Sequence, residues 1–451
     1  MTTELVTFSR PAVVSTLAEV GLMLAETKAL LARLQASVLC GQVAEYAAHR
    51  RACAACGMLQ PLKDRRTRRL QTLFGTVEVE APRFKLCGCR QPVPTAGVTV
   101  SPVISPVCTL LTARCTPELE RVQAELGART SFRDGARILE ALLPVSPANH
   151  ESLRTRTHAI ALQLEAADRE AAAEVTAVRG EPAKAAAADA SRPVVMLDGA
   201  YVRAVPGHQT RNFEAICGKV EREGHPTRRF ALVRSVAEQP HALLRAALQD
   251  QGWREGEAVT AISDGDPALP ALVRSATGRP VEHILNWFHL SMRMHHVEQV
   301  MEGLCAIEPP PLASLDPAQI DVERLRHLLW NGHHEKACEA LGRITSEATD
   351  AIVLNEPGVE AKARRLVARC TELRSYIENN EGALIDYGQR YRAGKPISTS
   401  RAEGTVTQLV NARMNKRRQM RWSPRGAHRV LQVRAALLDG RLGQQSIQLA
   451  A

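Results

Sequence analysis

Two periodicities alternate along this chain, and the points where one gives way to the other mark its organisation. Leu17, Val20, Leu24, Leu30, Leu31 and Leu34 recur roughly at helical spacing with few breakers, predicting a packing or dimerisation helix over 11–50. Thr76-Val77-Glu78-Val79-Glu80 alternates apolar and polar residues, the pattern of a half-buried strand. Between 105 and 165 short helical stretches return. Thr116-Pro117-Glu118 reads as a helix start, with Thr116 as cap and Pro117 in the first helical position. Thr130-Ser131 and Ser146-Pro147 open two more. Short helices joined by tight turns are compatible with a helix-turn-helix DNA reader and equally with a plain helical bundle. The Ala-rich stretch 165–192 reads as the end of a long helix and a linker.

From residue 194 the pattern is that of strands. Val194–Val205, Asn212–Glu221 and Arg228–Ser235 are separated by Pro206-Gly207 and Gly224-His225-Pro226, consistent with an antiparallel meander. Pro240–Gln251 reads as helix, Ala258–Ser263 as strand, Pro267–Thr277 as helix, and Val281–Leu285 as a strand leading into another helix. The order β-β-β-α-β-α-β-α is that of a ribonuclease H-like core, a mixed sheet with helices on its faces. In that arrangement the first and fourth strands are neighbours. Residues 300–395 are mostly helical, interrupted at Glu308-Pro309-Pro310-Pro311 and near Asn355-Glu356-Pro357-Gly358, and read as an insertion. Arg401–Leu438 reads as one long helix or two, with a break at Pro424.

The expected fold class is therefore multidomain α+β. Its segments are an N-terminal helical segment (1–50), a small cysteine-bearing domain (51–104), and a helical region with a linker (105–190). A ribonuclease H-like core follows in two parts (191–299 and 398–451), split by the helical insertion (300–397).

Composition adds a partner. The chain carries 58 Lys+Arg against 48 Asp+Glu, a net charge of +10. Such a balance favours a polyanion, most simply nucleic acid. Only 4% of residues are aromatic, which favours backbone-directed duplex binding over stacking on unpaired bases. Met1-Thr2-Thr3-Glu4-Leu5 does not open a signal peptide, and no stretch approaches the ~20 apolar residues of a membrane span. A cytoplasmic protein is expected. Disulfides are rare in that compartment, so closely spaced cysteines are examined as metal ligands. Cys53-Ala54-Ala55-Cys56-Gly57 and Cys87-Gly88-Cys89, placed at the base of two short hairpins, supply four thiolates for a structural zinc ribbon; buried free thiols are the alternative. Between them lies the basic run Lys63-Asp64-Arg65-Arg66-Thr67-Arg68-Arg69.

Three acids stand in contexts that suit a hard cation. Asp198 lies in the apolar run Val194-Val195-Met196-Leu197-Asp198-Gly199, Asp264 closes Thr260-Ala261-Ile262-Ser263-Asp264, and Glu403 opens a basic segment. Phosphoryl transfer with two magnesium (or manganese) ions needs two or three carboxylates that hold the ions about 3.5–4 Å apart. Asp198 would bridge both ions, with Asp264 and Glu403 holding one each. Asp266 competes with Asp264, and can instead cap the helix after Pro267. Beyond Glu403 come Arg413, Lys416, Arg417, Arg418 and Arg421, expected on DNA phosphates as a basic helix, with a solvated face as the bland alternative. Trp422 is expected to bury against the sheet. His289 and Arg293, after the fifth strand, are further candidate DNA contacts, with a packed core histidine the rival reading of His289.

Together these residues resemble a bacterial insertion-sequence transposase of the DDE type, most like the ISKra group, with kinship to Mutator-like elements. The resemblance spans nearly the whole chain. It rests on Cys53-x-x-Cys56-Gly57, on Thr72-Leu73-Phe74-Gly75-Thr76-Val77 with Pro82-Arg83, and on Cys87-Gly88-Cys89. It continues in Leu197-Asp198-Gly199, Ser263-Asp264-Gly265, Trp287-Phe288-His289, and Glu403 with Asn411-Ala412-Arg413-Met414. It implies a ribonuclease H-like catalytic domain whose DDE triad matches Asp198, Asp264 and Glu403. It implies magnesium-dependent cleavage at the ends of a mobile element and joining to target DNA, by a nucleoid-associated homodimer or higher oligomer. Similar families carry an aspartate three residues before the histidine; here that position is Asn286. A silent DNA-binding derivative and a nuclease of the same fold are the alternative functions.

Overall fold

The computed structural model describes Thr7 and residues 20–90, 103–145, 149–177, 192–307, 316–353, 358–399, 404–415 and 420–443. Several sequence expectations fall outside them: most of 11–20, the helix start at Ser146-Pro147, the linker after 177, the Pro309–Pro311 kink and Asn355-Glu356-Pro357. Two units are distinct, Met1–Ala161 with Gly440–Ala451, and Leu162–Asp439. Among the described residues no helix is long and apolar enough to cross a membrane.

In the first unit, α1 (Leu24–His49) is followed by a single long hairpin, β1 (Leu62–Thr72) and β2 (Gly75–Lys85), edged by the short β3 (Val103–Ile104). This corrects the expectation of two short hairpins: the basic run is itself a strand. Its charges find cross-strand partners, Arg65 with Glu80 and Arg69 with Glu78, both at 2.7 Å. A separate single bridge, Ala52 to Leu59, closes the loop bearing Cys53 and Cys56. One face of β2 (Val77, Val79, Ala81) packs on Val43 and Ala47 of α1 and Val107 of α2 (Pro106–Leu110). Helices α3 (Pro117–Arg129) and α4 (Phe132–Leu142) follow, and then α5 (His150–Ala177), of which the part up to Ala161 belongs to this unit. Thr116 and Pro117 occupy the expected positions at the start of α3, and Ser131 caps α4 by accepting from the Asp134 amide at 3.1 Å.

The second unit is built on a five-stranded sheet of β4 (Val194–Arg203), β5 (Asn212–Glu221), β6 (Arg228–Val233), β7 (Thr260–Ser263) and β8 (Glu282–Leu285). The strand order is β6-β5-β4-β7-β8. The meander β4-β5-β6 is antiparallel, while β4-β7 and β7-β8 are parallel. Side chains alternate across a strand, so β4 feeds two cores. Val195 and Leu197 pack with α6 (Pro240–Asp250) and α7 (Ala268–Thr277). Met196 joins Ile262, Ile284 and α8 (Trp287–Cys305) on the other face. That second core runs on without a gap into α9 (Asp316–Trp330), α10 (His334–Val353), α11 (Val359–Asn379) and Tyr387 of α12 (Tyr387–Arg392).

After Gly404 the described chain makes a short helical turn that widens over Thr407–Asn411, with Ala412 N donating to Thr407 O at 2.9 Å. Residues 420–423 lie outside any helix, and the bridge from Trp422 to Ala204 joins them to the end of β4. Pro424 opens α13 (Pro424–Leu438) rather than breaking a helix: Ser423 Oγ accepts from the Gly426 amide at 3.1 Å, and proline suits the first helical position. Of the two forms expected for Arg401–Leu438, one long helix or two, the described residues show two helical pieces, the second opening at Pro424.

Candidate functional site

The register of β4 on β7 sets Val194, Val195 and Met196 against Thr260, Ala261 and Ile262. Carried two residues further, the same register sets Asp198 beside Asp264. Met196 and Ile262 both face the core beneath α8, so alternation turns Asp198, and Asp264 just past the end of β7, to that side. Asp198 is buried, and Asp264 is half-buried. Burial pushes the Tyr376 hydroxyl up to about 12, and the Asp264 carboxylate nearby adds to the effect. The same carboxylate acts against burial at His283, whose pKa is lowered chiefly by desolvation.

Asp266 is occupied differently. Its Oδ1 accepts from the Ala268 amide at 2.9 Å, capping α7, and its Oδ2 lies 3.8 Å from Arg234. Arg234 in turn pairs with Glu214 at 3.4 Å. Among the described residues no Lys or Arg pairs with Asp264; its Oδ1 accepts only the Asp266 amide, at 3.1 Å.

The first turn of α8 brings His289 to this place. Its Nε2 is 3.8 Å from Asp198 Oδ1, too far for a hydrogen bond, and is shielded from solvent with no hydrogen-bond partner. A buried polar atom left unpaired beside a carboxylate is a position a ligand oxygen can complete. Arg293, one turn on, is engaged within the protein: it lies 4.2 Å from the Tyr376 ring centroid and 2.8 Å from Glu372.

Asn286 proves to be a clasp. It is fully buried, and its Oδ1 accepts from Phe288 N at 3.1 Å, capping α8, and from Thr399 N at 3.0 Å. Its Nδ2 donates to Thr399 Oγ1. Trp287 N adds a bond to Ile397 O at 3.1 Å. The junction of β8 and α8 therefore grips residues 397–399, the chain just ahead of Glu403. Glu403 itself, with Lys416, Arg417 and Arg418, lies outside the described residues.

Arg413 is a correction. Expected on phosphates, it is fully buried, with its guanidinium 4.8 Å from the Trp422 ring centroid. Arg434, from the same basic stretch, is also buried and donates to Leu409 O at 2.7 Å and to Gln408 O. Arg421 is exposed and shares a cavity of about 230 Å³ with Arg203 and Arg211 of the β4–β5 turn, cations that sequence spacing did not join to it. Trp422 is buried, as burial against the sheet required.

The four cysteines of the first unit converge. Cys53, Cys56, Cys87 and Cys89 place their sulfurs within 4.8 Å of one another. The contacts are Cys53–Cys89 at 3.5 Å, Cys56–Cys87 at 3.4 Å and Cys56–Cys89 at 3.5 Å. A tetrahedron with zinc–sulfur bonds near 2.3 Å has edges of about 3.8 Å, so the cluster fits the ion. Gly57, at φ +73°, makes the turn beneath it, with Cys53 N donating to Met58 O at 2.9 Å. The amides of Ala55 and Cys56 draw the Cys53 thiol down to about 6, while the other sulfurs push Cys89 up to about 12. Without a cation the thiolates oppose one another; a divalent ion removes the conflict. The cluster could hold a structural zinc.

His334, Glu335 and Glu381 also bring ligand atoms within 4.8 Å, but Glu335 and Glu381 are exposed and the group lies at the start of α10, where the helix dipole opposes a cation.

No protein-family model matches the chain, and no curated protein matches it significantly.

Proposed function

We propose that this protein is a DDE transposase, which binds insertion-sequence ends, cleaves DNA strands and joins the 3′ ends to target DNA. The reading rests on the resemblance of its motifs and is supported above all by one observation: Asp198 and Asp264, far apart in sequence, come from adjacent parallel strands and turn to the same face. The strand order, with β4 antiparallel to β5 and parallel to β7, supports a ribonuclease H-like catalytic domain. The Asn286–Thr399 clasp supports Glu403 as the third acid, because it ties the chain ahead of Glu403 to the strand beside β7.

The donors fit magnesium: two carboxylates, hard oxygen ligands, with Asp264 holding no cationic partner among the described residues. Asp198, Asp264 and Glu403 would hold two ions, which would supply charge stabilisation to the scissile phosphate and to the attacking and leaving oxygens. His289, 3.8 Å from Asp198, is placed to orient a phosphate oxygen beside the carboxylates. The nucleophile is water for cleavage and a DNA 3′-hydroxyl for joining. Two ends must be held together, which calls for a dimer or larger assembly in the DNA complex.

The test uses the purified full chain, a donor duplex bearing the candidate terminal repeats, and magnesium or manganese. Cleavage and strand transfer are expected, with Asp198→Ala and Asp264→Ala each losing at least about a hundredfold in rate, as befits removal of a metal ligand. Strand transfer that persists in Asp198→Ala refutes this mechanism. Cleavage with no joined product favours a nuclease.

A further inference from the structure

The β1–β2 hairpin of the first unit has one face covered by α1 and α2 and one left open. On the open face stand Arg65, Thr67, Arg69 and Gln71, opposite Pro82, Glu80, Glu78 and Thr76. At the turn end this face borders a cavity of about 690 Å³ lined by Arg69, Gln71, Thr76, Glu78, Arg114 and Arg156. Its arginines are not equivalent. Arg69 is held by Glu78 at 2.7 Å. Arg156, on α5, instead donates to two neutral amide oxygens, those of Gln71 and the buried Gln123. Neither Arg156 nor the exposed Arg114 has a carboxylate within ion-pair distance among the described residues.

The amides fix the Arg156 guanidinium without neutralising it. Glu120 acts on Arg156 only from beyond ion-pair distance. A fixed cation without a paired carboxylate, beside a second exposed cation in a polar groove, is a receptor prepared for an anion. We propose that this groove, with the open hairpin face, binds the phosphate backbone of duplex DNA. The choice of DNA among polyanions rests on the transposase reading; the need for an extended anion does not. Lys63 continues the exposed positive charge along this face of β1 away from the cavity, while Arg65, like Arg69, is held by a glutamate, Glu80 at 2.7 Å. An eleven-residue strand at about 3.3 Å per residue spans roughly 36 Å, about one turn of duplex. Single small anions would fill the cavity and leave the rest of the strand unused.

The full chain is titrated with a labelled duplex of about 30 base pairs between about 50 and 200 mM salt. Replacing Arg114 and Arg156 together (Arg114→Ala, Arg156→Gln) is expected to weaken binding about tenfold or more, irrespective of sequence. The slope of log affinity against log salt should fall by about two. Glu78→Gln releases Arg69 from its partner and is expected to tighten binding several-fold and steepen the slope by about one, a gain that misfolding cannot produce. An unchanged slope in a folded double variant, or no gain in Glu78→Gln, overturns the proposal. So does displacement of the duplex by inorganic phosphate at about 10 mM and matched ionic strength, which would assign a small-anion site. Duplex binding with the expected slope by a chain that cleaves no DNA would sink the transposase reading and leave the groove standing. Cleavage with unaffected groove variants would do the reverse.

Discussion

Asn286 shows how much one side chain can do when both of its ends are used. Its oxygen satisfies two backbone donors and its nitrogen a threonine hydroxyl, all away from water. An aspartate could accept the same two amides and, with Thr399 turned to donate, a third bond, so the position tolerates either residue in geometry. A leucine, with the same branching but no acceptor, leaves both amides buried and unpaired. Asn286→Leu is therefore expected to lower the free energy of unfolding by about 2–4 kcal/mol and, on the proposed transposase function, to depress DNA cleavage, because the chain ahead of Glu403 loses its anchor. Asn286→Asp should stay within about 1 kcal/mol of the parent. Urea denaturation of the two variants checks this; equal stability of the leucine and aspartate forms would remove the clasp from the account. Burial of Arg413 is the opposite lesson. A run of arginines looks like a DNA-binding face, yet this one is spent on Trp422 inside the fold, a partner that only the return of the chain to β4 supplies.

At the scale of elements, the β1–β2 hairpin is stabilised differently at its two ends. Near the turn, Val77, Val79 and Ala81 are covered by α1 and α2. Near the cysteines, Met58, Leu59 and Leu62 stand 67%, 65% and 41% exposed, so little apolar burial holds that end. A metal held by the four cysteines would supply what the core does not. About one zinc per chain is expected by elemental analysis. Its removal by a chelator should raise amide hydrogen exchange at 53–60 and 84–89 while 76–81 and α1 stay protected. Zinc near zero, or an exchange pattern indifferent to the chelator, would count against the site. The cysteine spacing was readable because two close pairs separated by strand signals have few other uses. The meander β4-β5-β6 was readable because Pro-Gly and Gly-His-Pro punctuate it and its strands are apolar. β1 was not, because a run of charge carries no apolar alternation; its backbone ladder to β2 makes it a strand, and Glu78 and Glu80 offset its charge. Pro424 marks a boundary legible in the sequence, and Ser423-Pro424 carries the finer signal, cap followed by first helical residue, that makes it a helix start. The pairing of Asp198 with Asp264 followed from strand order, whereas the Asn286–Thr399 contact left no local pattern to find.

At the scale of the molecule, the second unit raises the question whether its helical region 316–392 is a separate body or one fold with the sheet. Met196, Ile262 and Ile284 of the sheet share one uninterrupted core with Leu341 and Ile344 of α10 and Leu366 and Leu373 of α11. Trp287 at the start of α8 packs on Trp330 and Tyr387, with ring centroids 4.9 and 4.8 Å apart, so the junction with the insertion is itself aromatic core. Without the insertion, the core that α8 shares with the sheet bearing Asp198 and Asp264 would lose its other wall. The insertion and the sheet should then unfold together. Leu366→Ala in the insertion and Leu244→Ala in the opposite core, both fully buried, should each cost about 2–5 kcal/mol and lower the same transition. Natural probes separate the two sides, Trp330 in the insertion core and Trp253 beside α6. In chains retaining only one of these tryptophans, the urea midpoints are expected to coincide, and to move together with either leucine variant. A midpoint at Trp330 that falls in Leu366→Ala while Trp253 holds would make the insertion an independent lobe, and would remove the argument that its packing keeps the two acids on one protected face.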